Sequence, residues 1–161
     1  MKSLLFLLFS IFSIMAMAQQ PTSTILTGKT DVQQLTDQAA YPWFTTNYQA
    51  YQTDKTVAVQ LKKAMPKGAT LIVFGGTWCS DTQNLLPKFY KALDDAGIDR
   101  KQVQLYLVDE KKTSPEGLEK QYNIVSVPTF VLMHKGTEVG RIVESVQKNI
   151  ETDLLNLLPK I

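Results

Sequence analysis

Residues 69–76 read ATLIVFGG, a short and fully apolar run closed by two glycines, and an amphipathic helix pattern starts within a few residues of it. From about 80 to 96, Leu85, Leu86, Phe89, Tyr90 and Leu93 recur at three- and four-residue intervals, and Gly97 stops the pattern. A strand feeding a helix through a glycine turn is the start of an alternating α/β chain. The rest keeps to that alternation. VQLYLVD (103–109) reads as a second strand. Ser114-Pro115-Glu116 supplies a cap, a first-turn proline and a first-turn acid, which predicts a short helix to about Tyr122. PTFVLMH and EVGRIVE are strands joined through Lys135-Gly136 into an antiparallel hairpin. Ser145 is the expected cap of a last helix carrying Val146, Ile150, Leu154, Leu157 and Leu158. Upstream, Asp54 caps a helix over 55–65 that Pro66-Lys67-Gly68 ends. The order is α-β-α-β-α-β-β-α, a mixed central sheet with a terminal β-hairpin and helices on both faces.

The first residues have a different character. Lys2 precedes an apolar run from Leu4 to Met17, and Ala16-Met17-Ala18 has the small-x-small form of a cleavage site. About 14 apolar residues is short for a membrane span, so residues 1–18 read as an export signal peptide. The other reading is an N-terminal membrane anchor. Cleavage leaves no segment suited to stable membrane insertion and places the mature chain outside the cytoplasm, in the periplasm or beyond. Residues 19–40 are polar, rich in Thr and Gln, and read as a linker or extended arm. The domain then covers 41–161. It opens with an aromatic helical extension in which Trp43, Phe44, Tyr48 and Tyr51 share a spacing suited to packing on the main body.

The whole chain carries a net charge of +2, and loss of Lys2 lowers it to +1. Such a surface offers no argument for a nucleic-acid partner. There is a single cysteine, Cys79, so no internal disulfide can form. In an exported protein that thiol is buried and inert, paired with another molecule, or free and reactive. With one Cys and one His, His134 at a strand end, the chain lacks a zinc set. No phosphate loop or nucleotide fingerprint occurs, and no cofactor is implied.

Several ordered features carry a resemblance. Trp78-Cys79 ends the loop after the first apolar strand, Pro87 falls eight residues on inside the helix, and SVPTF (126–130) leads into the third strand. With the hairpin and the last helix, residues 69–158 resemble the thioredoxin superfamily. The leader, the aromatic extension and GTWC-S-D resemble its exported bacterial envelope members. The resemblance implies a nucleophilic Cys79 at a helix N-terminus, where free N–H groups and the helix dipole favour thiolate over thiol. It also implies a cis Pro128 that aims the Val127 backbone at a partner peptide beside Trp78. Gly75 and Gly76 would let the backbone turn sharply and approach a partner.

The chain departs from the superfamily at three positions, one of them Asp81, which stands where thioredoxin itself usually has proline. The second cysteine is replaced by Thr82, whose hydroxyl is expected to donate a hydrogen bond to the thiolate. The buried acid falls at Val73. Asp81, in the first helical turn, either caps the helix or serves as a local acid or base, while opposing a thiolate charge. Two functions fit. One is a monothiol disulfide oxidoreductase acting on protein disulfides or low-molecular-weight thiols and resolved by an external thiol donor. The other is a non-catalytic peptide- or protein-binding module. A cluster-holding role like that of monothiol glutaredoxins fits less well, since those proteins are intracellular and have other loop residues.

Overall fold

The computed structural model describes residues 24–36 and 39–158. The expected signal peptide over residues 1–18 and the first residues of the arm lie outside the described residues. Five strands form one sheet: β1 (Gly28–Thr30), β2 (Ala69–Gly75), β3 (Val103–Leu107), β4 (Thr129–His134) and β5 (Thr137–Val143), in the order β1-β3-β2-β4-β5. Only β2 and β3 run parallel; the other three pairings are antiparallel. The helices are α1 (Gln33–Thr36), α2 (Pro42–Ala50), α3 (Lys55–Ala64), α4 (Ser80–Ala96), α5 (Leu118–Gln121) and α6 (Ile150–Leu157).

Alternation along β2 divides the core. Leu71 and Val73 face a cluster built with α2, α3, α4 and α6, including Phe44, Leu61, Phe89, Leu93 and Leu154. Ile72 and Phe74 face a smaller cluster with Tyr106, Val108, Ile124, Val127 and Val131, against which Trp78, Cys79 and α5 pack. Val73, where the superfamily keeps an acid, is fully buried and pairs with Leu105 and Phe130.

Several boundaries obey the local chemistry read from the sequence. The Asp54 carboxylate accepts from the Thr56 and Val57 amides and starts α3. Gly97, at φ 68°, ends α4 in the left-handed region. Lys135 and Gly136, at φ 51° and 77°, make the two-residue turn between β4 and β5.

Three expectations are corrected. The helix predicted from Ser114-Pro115 begins only at Leu118, because Gly117 is left-handed and breaks the run. The Ser114 hydroxyl instead donates to the buried Glu119 carboxylate at 2.6 Å. The last helix is capped not by Ser145 but by Asn149, which accepts from the Thr152 amide. The arm carries structure too: residues 28–30 form β1, paired with Leu105–Leu107 on the outer side of β3. Among the described residues no helix is long and apolar enough to cross a membrane.

Candidate functional site

The loop between β2 and α4 is shaped by contacts that only glycine permits. A Cβ on Gly76 would lie 2.6 Å from the Trp78 indole nitrogen, and one on Gly75 would lie 2.9 Å from the Thr82 methyl. Neither glycine adopts a positive φ. Close packing by Trp78 and Thr82, rather than a left-handed turn, therefore requires them. The indole N–H donates to the Val108 carbonyl at 3.0 Å, which holds the ring over the end of the sheet.

The backbone then turns so that the Cys79 amide donates to the Gly76 carbonyl at 3.0 Å. Cys79 is the N-cap residue of α4, with extended backbone, and no side chain caps the first-turn amides. Its carbonyl accepts from the Gln83 amide at 3.0 Å. The side chain is half-buried, and Sγ donates to the Val127 carbonyl oxygen at 3.3 Å. Val127 precedes Pro128, and the peptide bond between them is cis. The segment is pinned on both sides. Thr129 Oγ1 donates to the Ser126 carbonyl at 2.7 Å, and the Glu144 amide donates to the Pro128 carbonyl at 2.8 Å. Trp78, Cys79, Val127 and Pro128 thus meet at one end of the sheet. Val125, two residues before Val127, is 74% exposed.

Thr82 and Asp81 sit on different sides of the start of α4, one buried and one exposed. Thr82 is fully buried, and its hydroxyl oxygen accepts from the Gly76 amide at 3.1 Å. The hydrogen bond the structure gives this hydroxyl is therefore to the loop backbone, not to the Cys79 sulfur. The inward turn reflects the packing of its methyl on Gly75. Asp81 is exposed in the first turn of α4 and pairs with no described residue. That position suits a helix-stabilising acid.

Residue types alone do not reveal the groups that hold the loop from behind. Thr77 is buried; its carbonyl accepts from Gln83 Nε2 at 2.7 Å, and its hydroxyl donates to the Thr24 carbonyl at 3.4 Å. The Leu26 amide donates to the same hydroxyl at 3.4 Å, and the Tyr41 hydroxyl donates to the Thr24 carbonyl at 2.7 Å. The one available signal was Pro87. Lacking an N–H, it leaves the Gln83 carbonyl without its helical donor, and Asn47 Nδ2 supplies one at 2.9 Å.

Two further acids fasten the helices. Glu151 accepts from the Tyr51 hydroxyl and the Asp54 amide. Asp94 takes Arg100 and Tyr48 on the outer side of α4. A cleft of about 520 Å³ lies near the start of β3, between Lys29–Gln33 and Arg100–Leu105, and includes none of the Cys79 loop. Among the described residues, no group of three or more His, Cys, Asp or Glu is placed to hold a metal ion.

Known proteins agree with this architecture. The family model described as Thioredoxin matches residues 49–156. A protein of unknown function from Pseudomonas aeruginosa superposes with a TM-score of 0.53 at 15% identity, over 71% of this chain and 81% of that one. An HIV epitope-scaffold gives 0.54 at 16%, over 73% of each chain. Thioredoxin from Fasciola hepatica is 24% identical over 52% of this chain and 75% of its own, with a TM-score of 0.37. No curated protein matches the sequence.

Proposed function

Because the chain belongs to the thioredoxin family through residues 49–156, we propose that it performs thiol–disulfide exchange in the bacterial cell envelope, with Cys79 as its only nucleophile. A thioredoxin-like redox function comes with the family; the single-sulfur mechanism comes from the residues. The observation that carries it is the position of Cys79, at the uncapped N-terminus of α4 with Sγ against the carbonyl ahead of Pro128.

The chemistry runs in two exchanges. The Cys79 thiolate attacks one sulfur of a substrate disulfide, a new S–S bond forms, and the other substrate sulfur leaves as a thiolate. An external thiolate then attacks the mixed disulfide, restoring Cys79 as a thiolate and leaving its own sulfur joined to the substrate. A second external thiol completes the reduction, so two electrons come from the donor and none are kept by the protein. Trp78 and the Val127-Pro128 segment serve as the docking surface, where an extended chain can pair as an added strand. Thr82 and Asp81 act as supports, one of the loop and the other of the helix.

Export is supported by Lys2, the apolar run and Ala16-Met17-Ala18. Mass spectrometry of protein from its native host should find a start at or near Gln19; a retained Met1 in a cytosolic fraction ends this part of the reading.

The exchange reading is tested on non-reducing gels after incubation with protein disulfides. Wild type should accumulate adducts that excess glutathione dissolves, and Cys79→Ser should form none while staying folded. If wild type forms no adducts yet binds extended peptides reversibly, the domain is a binding module.

A further inference from the structure

Pro87 sits inside α4, four residues after Gln83. In an uninterrupted helix the amide of residue 87 would donate to the carbonyl of residue 83, and proline has no amide proton to give. The orphaned carbonyl is not left to solvent. Asn47, on α2, donates to it through Nδ2 at 2.9 Å. Gln83 in turn donates through Nε2 to the Thr77 carbonyl at 2.7 Å, and its amide donates to the Cys79 carbonyl at 3.0 Å. One residue therefore grips the loop on both sides of Trp78. Asn47 lies before residue 49, outside the stretch that matches the family model.

We propose that Gln83 is a positioning residue for Cys79 and that Asn47, reaching in from the N-terminal extension, holds Gln83 in place by replacing the donor that Pro87 lacks. This rests on the reading of Cys79 as the nucleophile. Attack on a disulfide needs the sulfur aligned with the bond it breaks. A loop whose Thr77 carbonyl is free would sample other orientations of Trp78 and Cys79. The extension thus takes part in the exchange without touching substrate.

Four proteins test it: Asn47→Ala, Gln83→Met, Pro87→Ala and the double variant Asn47→Ala with Pro87→Ala. Two readouts are used, amide hydrogen exchange under native conditions at Cys79 and Gln83, whose amides bond to the Gly76 and Cys79 carbonyls, and the rate of mixed-disulfide formation with glutathione disulfide. Gln83→Met should speed exchange of those amides on the order of fivefold, as loss of one hydrogen bond implies, and slow mixed-disulfide formation comparably. Asn47→Ala should move both readouts in the same directions. Pro87→Ala restores an amide at residue 87, so Asn47→Ala should have little or no effect in that background.

The proposal is overturned if Asn47→Ala leaves the two amides at wild-type exchange, or if Pro87→Ala fails to compensate for it. Because that comparison does not involve Gln83→Met, it stands even if that variant misfolds. Should wild type not react with glutathione disulfide at all, the nucleophile reading falls. Amide exchange still decides whether Asn47 and Gln83 hold the loop.

Discussion

Cys79 Sγ lies 3.3 Å from the Val127 carbonyl oxygen and donates to it, joining two segments 48 positions apart. The contact closes the groove's two sides on each other at rest. A partner N–H that pairs with the Val127 carbonyl would meet an oxygen that the thiol already uses. Position 82, one helical turn from the sulfur, decides whether an adduct on Cys79 can be resolved from within.

Thr82→Cys should therefore create an internal resolver. Residues three apart face each other on a helix, and the smaller thiol fits where Thr82 is now fully buried. The cost is the acceptor of the Gly76 amide, at 3.1 Å in the wild type, worth about 1 kcal/mol of stability. Insulin reduction with dithiothreitol should rise, and adduct lifetime on non-reducing gels should shorten. A folded variant with no gain in turnover would show that this groove does not run disulfide exchange.

Gly76→Ala probes the support under Trp78. The added methyl would lie 2.6 Å from the indole nitrogen, so the ring must leave the Val108 carbonyl it now meets at 3.0 Å. Overpacking of this kind costs about 1–3 kcal/mol. In a Trp43→Phe background, where Trp78 is the sole tryptophan, tryptophan fluorescence should shift to the red and the urea midpoint should fall. Unchanged emission would mean the backbone yields instead of the ring.

Asp94 gives a pH signature. Burial pushes its carboxyl up, but hydrogen bonds from Arg100 and Tyr48 outweigh that and hold it below the usual aspartate range. A depressed carboxyl stabilises the fold above its unfolded value, and that contribution disappears as pH falls through the folded one. Asp94→Asn should therefore destabilise by roughly 1 kcal/mol at pH 7. The gap from wild type should close as the medium is acidified below the normal aspartate range. Thermal midpoints across that span check the sign, and a gap that widens in acid contradicts it.

Glu151, fully buried, fastens α6 to the start of α3. Its carboxylate accepts from the Tyr51 hydroxyl at 2.6 Å and from the Asp54 amide at 2.8 Å. Glu151→Gln keeps an acceptor oxygen, whereas Glu151→Leu leaves both donors unmet. Urea unfolding should place the leucine variant below the glutamine variant by roughly 1–3 kcal/mol. Equal losses would assign the residue to packing alone.

The elements that frame the thiol were legible because short-range chemistry specifies them. The apolar run of β2, the left-handed Gly97 and the Lys135-Gly136 turn each act within a few residues. The start of α5 was not, since Ser114 is diverted to Glu119 and Gly117 breaks the run. Strand β1 is three residues long, too short to show a period, and only its pairing with β3 defines it. At the site, the residue types at 78, 79, 127 and 128 announced themselves. The inward turn of Thr82 and the grip of Asn47 on Gln83 depend on backbone atoms, about which residue identity says little.

The pairing of Gly28–Thr30 with Leu105–Leu107 also bears on how folded copies treat one another. A sheet has two rims, and a bare rim is a template onto which a second molecule can lay its own strand. Here the arm fills most of one rim with the chain's own amides. The other rim, β5, carries the Glu138–Arg141 ion pair, whose charges resist such stacking. A chain shortened to begin at residue 31 would keep its thiol and lose that cover, leaving the outer amides of β3 open to growth into ordered aggregates.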